Sequence, residues 1–291
     1  MPITRRALGA LLACACLPGC ATAAPADGGP LLYVLERGAA KVFILGHAEA
    51  DDRSWFTPRI ERAIRSAQEL WLETPPPGAP PSTPALVEQL GYDRSGSLFT
   101  FLGPELAPRV LALAAKVGVT RERLEPMRPW LAHYVLTSAR MASRPQAPSP
   151  EGPPQTLIAV ARERNIPIRA EYPTGDDLIR FFAAMPDEAQ RQYLRNLLDY
   201  VDADDKGLTR STSWARGKPN VEWAQRMHDD TPALYRLMHT ERNRAWARRI
   251  DGLLDQGGTR FVLLGQNHTV GPDSVLAELR RLGLRPRLAD A

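Results

Sequence analysis

Val42-Phe43-Ile44-Leu45-Gly46-His47-Ala48-Glu49 and Phe261-Val262-Leu263-Leu264-Gly265-Gln266-Asn267-His268 are two versions of one local pattern, an apolar run closed by a glycine and followed by polar side chains. Such runs predict short buried strands. Each is followed by a loop, an amphipathic stretch and a further apolar run, a weak internal repeat in which Glu49 takes the place of His268. In open α/β sheets ligands collect at the carboxyl ends of strands, where a glycine lets the backbone turn and the next side chains face a shared crevice. Two such turns, at Gly46 and Gly265, can supply one site from two halves of the chain.

Outward from these strands, Leu31–Leu35 and Val42–Leu45 flank a short polar loop and read as a β-hairpin. Pro58 to Ile64 has helical spacing with proline in the first turn, and Leu70-Trp71-Leu72-Glu73 reads as a buried strand closed by an acid. From Pro104 to Met141 the spacing is helical, with Leu106, Val110, Leu113 and Val117 on one core stripe and Trp130, Leu131, Tyr134 and Val135 on another. A helix over Leu157–Arg164 leads into a strand at Ile166–Ala170, and Thr174 caps the next helix. Four more helices follow, the last from Glu241 to Gln256 and stopped by Gly257-Gly258. Ser274–Leu282 reads as a helix and Leu284–Leu288 as a final strand.

At 291 residues, 44% hydrophobic and 24% charged, the chain buries a substantial core. The net charge is +4, two of the positive charges are Arg5 and Arg6, and the remaining charges are interspersed, which implies no nucleic-acid partner. Arg5-Arg6, the apolar run Ala7–Leu17 and the small residues after it have the form of a secretory signal over residues 1–23, too short to span a bilayer. Leu17-Pro18-Gly19-Cys20 resembles a bacterial lipobox, with Cys20 the lipidated residue; the alternative is ordinary cleavage after Ala21-Thr22-Ala23. Cys14, Cys16 and Cys20 are the three cysteines and all lie in this segment, so the expected folded part has no disulfide and no thiolate chemistry. The expectation is an exported protein, an outer-membrane lipoprotein or periplasmic, meeting a membrane only through a lipid anchor.

Glu241-Arg242-Asn243, Gly257 to His268 and Val270-Gly271-Pro272-Asp273-Ser274-Val275, together with Glu69 to Glu73 and Pro126 to Leu131, resemble the TraB/GumN family, whose relatives include the Tiki metalloproteases, erythromycin esterases and ChaN-like haem-binding lipoproteins. The family pattern has a strand ending Gly-x-x-His near each end of the chain, an acid closing the next strand, and a Glu-Arg-Asn segment. The resemblance implies an α/β fold of the erythromycin-esterase/ChaN-like type, two pseudo-repeated strand-helix units sharing a mixed sheet. It would be a single domain over 24–291, with a helical insertion at roughly 85–142 and a Pro-rich loop at 143–154.

The resemblance also implies metal-dependent hydrolysis of a peptide, amide or ester, with Glu49, Glu73 and His268 as ligands of a divalent cation (Mn, Co or Zn), and Glu241, Arg242 and Asn243 as catalytic residues. A carboxylate-rich set with one imidazole suits Mn²⁺ or Mg²⁺ better than a tight Zn²⁺ site. This sequence departs from the pattern at its first motif: either Glu49 replaces the histidine, or His47 serves as ligand from a shortened turn. Two rival readings are a degenerate member that binds a peptide or partner without turnover, and a haem or metal carrier of the ChaN type. For His268 the bland account is a hydrogen-bonded structural histidine. For Glu49 it is a solvated turn residue, for Glu73 a salt bridge, and for Glu241 and Arg242 charge at a helix start. His133, His228 and His239 read as structural.

Overall fold

The computed structural model describes residues 27–50, 52–143, 152–205 and 213–290. The expected signal segment with Cys20, and most of the Pro-rich loop, lie outside the described residues.

Six strands form one mixed sheet: β1 (Leu32–Arg37), β2 (Ala40–His47), β3 (Glu69–Leu72), β4 (Ile168–Ala170), β5 (Thr259–Gly265) and β6 (Arg287–Leu288), in the order β4-β3-β5-β2-β1-β6. The hairpin β1–β2 forms with Leu35 opposite Val42. β4, β3, β5 and β2 run parallel, so four strands end on one edge of the sheet. The final strand is shorter than the apolar pattern from Leu284 suggests, pairing only at Arg287 and Leu288.

The helices are α1 (Pro58–Ser66), α2 (Pro84–Gly91), α3 (Leu98–Lys116), α4 (Arg121–Leu124), α5 (Pro129–Ser143), α6 (Pro153–Glu163), α7 (Gly175–Ala183), α8 (Asp187–Asp205), α9 (Val221–Asp230), α10 (Pro232–Tyr235), α11 (Arg242–Asp255) and α12 (Val275–Arg281). The amphipathic faces of α1 and α6 cover one side of the sheet, burying Ile60, Ile64, Leu157 and Ala161 against Leu45, Leu70 and Phe261. α11 and α12 cover the other, with Trp246, Ile250, Val275 and Leu279 against Ile44, Val262 and Leu264. The remaining large core is all-helical: α2 to α5 pack with α7 and α8 through Leu106, Val110, Leu113, Trp130, Leu136 and Leu194. Tyr134, placed by spacing on a core stripe, is 66% exposed, because the buried face of α5 runs through Leu131, Ala132 and Leu136 and leaves it outside.

The two strand-helix units leave the sheet in opposite directions. β2 passes through α1 to β3, crossing over β5, whereas β5 passes through α12 to β6 at the other edge. A parallel crossover keeps one hand, so crossovers that travel in opposite directions place their helices on opposite faces. That is what the two cores show. β2 and β5 are neighbours, and the gap between their carboxyl ends is the point where the chain direction reverses, the usual location of a ligand crevice.

Candidate active site

Each of the four adjacent parallel strands β4, β3, β5 and β2 delivers one ionisable side chain to this edge. Glu171 directly follows β4, Glu73 directly follows β3, His268 lies three residues beyond Gly265 at the end of β5, and His47 ends β2. The sheet pairs His47 with Gly265, which staggers the two motifs by one residue relative to their sequence alignment. Neither strand-end glycine adopts a left-handed dihedral angle, and of the two only Gly46 is required for space. Gly265 has φ −56°, while a side chain at Gly46 would run into Thr269, with Cγ2 at 2.9 Å and Oγ1 closer still.

Across the edge stands the first turn of α11. Arg242 is the hub: Nη2 donates to Glu73 Oε2 at 3.0 Å and to Glu171 Oε2 at 2.6 Å, and Nε donates to Glu171 Oε1 at 3.0 Å. Trp246 Nε1 donates to Glu171 Oε2 at 2.9 Å. The guanidinium also lies over the rings of Tyr172 and Phe181, at 5.7 and 5.9 Å. Its Nη1 is the least engaged nitrogen, with the Met238 carbonyl and His268 Nε2 both at 3.5 Å.

His268 is 4% exposed. Nδ1 lies 2.6 Å from Asn243 Oδ1, and Asn243 Nδ2 donates to the Asp273 carbonyl at 2.6 Å. With its amide N–H groups turned to that carbonyl, Asn243 offers an acceptor to the ring, so Nδ1 is the protonated nitrogen. Nε2 then faces Glu73 Oε2 at 3.1 Å. It carries a lone pair in the neutral ring and an N–H toward Glu73 in the charged one. Burial pushes the Glu73 carboxyl up, but His268, Arg242 and the Gly265 amide together hold it well below the usual carboxylate range. Burial likewise holds the His47 imidazole below its ordinary value, against the attraction of Glu73.

The structure thus brings together Glu73, Arg242, Asn243 and His268 from the expected set, with His47 at the margin. It does not bring in Glu49, which stands exposed on the loop after β2, or Glu241, which is 53% exposed and 3.5 Å from Arg236. Three participants went unread in the sequence. Glu171 closes a strand just as Glu73 does, and that pattern could have found it; Trp246 carries no such signal. His239, read as structural, is 6% exposed and its ring lies 4.8 Å from that of His268.

The resemblance implies a divalent cation, and the residues here do not fit one. The Arg242 guanidinium lies on the Glu73 oxygen, and against the His268 nitrogen, that a shared cation would need, and two positive charges so close would repel. Among the described residues no three His, Asp or Glu side chains are grouped to hold a metal ion. The expected set of Glu49, Glu73 and His268 is not assembled.

The described architecture is mixed α/β with a six-stranded sheet and a large helical share; a repeat of the ChaN type is not established by it. No match was found among curated proteins or among solved structures. A family model described as "TraB/PrgY/gumN family" matches residues 31–287, from the strand that opens the sheet to the one that closes it, and the chain belongs to that family.

Proposed function

We propose that this protein hydrolyses a carbonyl substrate, an ester, amide or peptide, in the cell envelope, using His268 as general base and Arg242 as the fixed positive charge. The observation that carries the reading is the convergence of Arg242 Nη1 and the Glu73 carboxylate on His268 Nε2, whose opposite nitrogen is held by Asn243. Water attacking the carbonyl carbon gives its proton to Nε2, Glu73 stabilises the imidazolium, and Nη1 donates to the developing oxyanion. The same proton then passes to the leaving group as the carbonyl re-forms.

The test is a panel of chromogenic esters and short peptides incubated with the purified protein, with and without chelator. His268→Ala and Glu73→Gln should each lower kcat/KM by about 10²–10⁴-fold. Turnover unchanged in His268→Ala, or turnover that depends wholly on added Mn²⁺, Co²⁺ or Zn²⁺, would overturn this mechanism. The degree of closure favours a second reading, a member that binds a peptide or partner without turning it over: Arg242 and His268 are both nearly covered. Saturable binding with no turnover of any bound ligand would select it.

A further inference from the structure

Among the described residues, two side chains near this edge have a buried polar atom with no hydrogen-bond partner, Asn267 in the turn after β5 and His239, and of these His239 is the one whose ring packs against His268. Its ring is stacked on Tyr235 at 5.1 Å and tilted against His268 at 4.8 Å. Nδ1 is buried and has no hydrogen-bond partner among the described residues. A buried nitrogen left unpaired is a standing cost that phenylalanine, filling the same space, would not incur. His239 precedes Arg242 and Asn243 by three and four residues, the spacing that puts side chains on one face of a helix. It is carried on a π-helical turn, Arg236–Glu241, immediately ahead of α11. Such turns interrupt α-helices mostly at functional sites.

We propose that His239 is a substrate-binding residue of this site, its Nδ1 accepting a hydrogen bond from an N–H of the ligand, so that the site takes amides and peptides in preference to esters. The inference rests on the reading of the site as one for carbonyl substrates. A peptide group presents an acceptor and a donor. The acceptor is met by Arg242 Nη1, the least engaged donor beside His268. The donor needs an acceptor close by, and His239 Nδ1 is one in the neutral tautomer that carries its proton on Nε2. An ester would leave that nitrogen as unpaired as it is in the free protein. A site built around a substrate N–H discriminates strongly against the analogue that lacks it.

The experiment uses the purified protein with ¹⁵N-labelled histidine and two probes, an N-acetyl dipeptide methylamide and its depsipeptide analogue with oxygen in place of the central N–H. The His239 Nδ1 resonance, assigned by its absence in His239→Phe, should move with the amide and stay with the depsipeptide. His239→Phe, which keeps the ring, should raise Tm while lowering the amide-to-ester ratio of kcat/KM by about 10- to 100-fold. Equal shifts with both probes, no shift with either, or an unchanged ratio in His239→Phe would overturn the proposal. A selective shift without cleavage of either probe would leave it standing and remove the hydrolase reading. Cleavage of both with equal dependence on His239 would do the reverse.

Discussion

Replacing Arg242 by methionine removes the single cation that two buried carboxylates share. Glu73 and Glu171 accept from the same Nη2, at 3.0 and 2.6 Å, and their side chains are 17% and 11% exposed. Their nearest oxygens therefore lie within roughly 6 Å of each other, where two unit charges at an effective dielectric of 20 repel by about 3 kcal/mol. Breaking a buried pair from one side costs about 3–5 kcal/mol, so the two routes agree. For a chain of this size the loss corresponds to a fall in Tm of roughly 6–20 °C. The pH dependence gives the reasoning a second edge. In the native protein the Glu73 pKa is depressed, so its contribution is complete above the unfolded value near 4.5 and is lost as pH falls through the lower folded value. In Arg242→Met Glu171 loses its cation and Glu73 keeps only the His268 ring and the Gly265 amide, so the pair takes up a proton on folding, the sign reverses and the deficit shrinks as pH is lowered from 7 toward 5. Circular-dichroism melts of both proteins at pH 5, 6, 7 and 8 measure it. A deficit below about 1 kcal/mol, or one that does not change with pH, would refute the claim that Arg242 holds two ionised carboxylates.

Two further outcomes follow from the same geometry. Asn243→Ala should lower kcat by about 10²-fold or more, with the His268 Nδ1–H tautomer lost in the ¹⁵N spectrum, whereas Asn243→Asp, which still accepts from the ring, should keep that tautomer. Gly46→Ala should destabilise by about 1–3 kcal/mol through its collision with Thr269, and Thr269→Ala should recover part of the loss; strict additivity in thermal melts would show that the contact is not the cause.

What the sequence determined by itself is the local part. Apolar runs bounded by Gly46, Gly265 and Glu73 specify strands β2, β5 and β3, because strand length, side-chain type and turn residues act over a few positions. The stop after α11 is equally local: Gly257 and Gly258 adopt φ of 73° and 74°, open to glycine at little cost. The Arg242-Asn243 and His268 signals were legible as well, and all three sit in the site. The tertiary structure decided which strand ends meet and which side chains turn inward. Opposed crossovers put β2 beside β5, and Glu49, four residues past the glycine-closed run's Leu45, faces solvent on a loop instead of entering the crevice. Glu241 and Arg242 are adjacent in sequence yet one is exposed and the other buried, since neighbours on a helix point about 100° apart. Glu171 joins from a distant strand, while His239 and Trp246, three residues before and four after Arg242, ride on the same helical segment; which face of that segment meets the strand ends is set by packing, and spacing along the sequence does not carry that information.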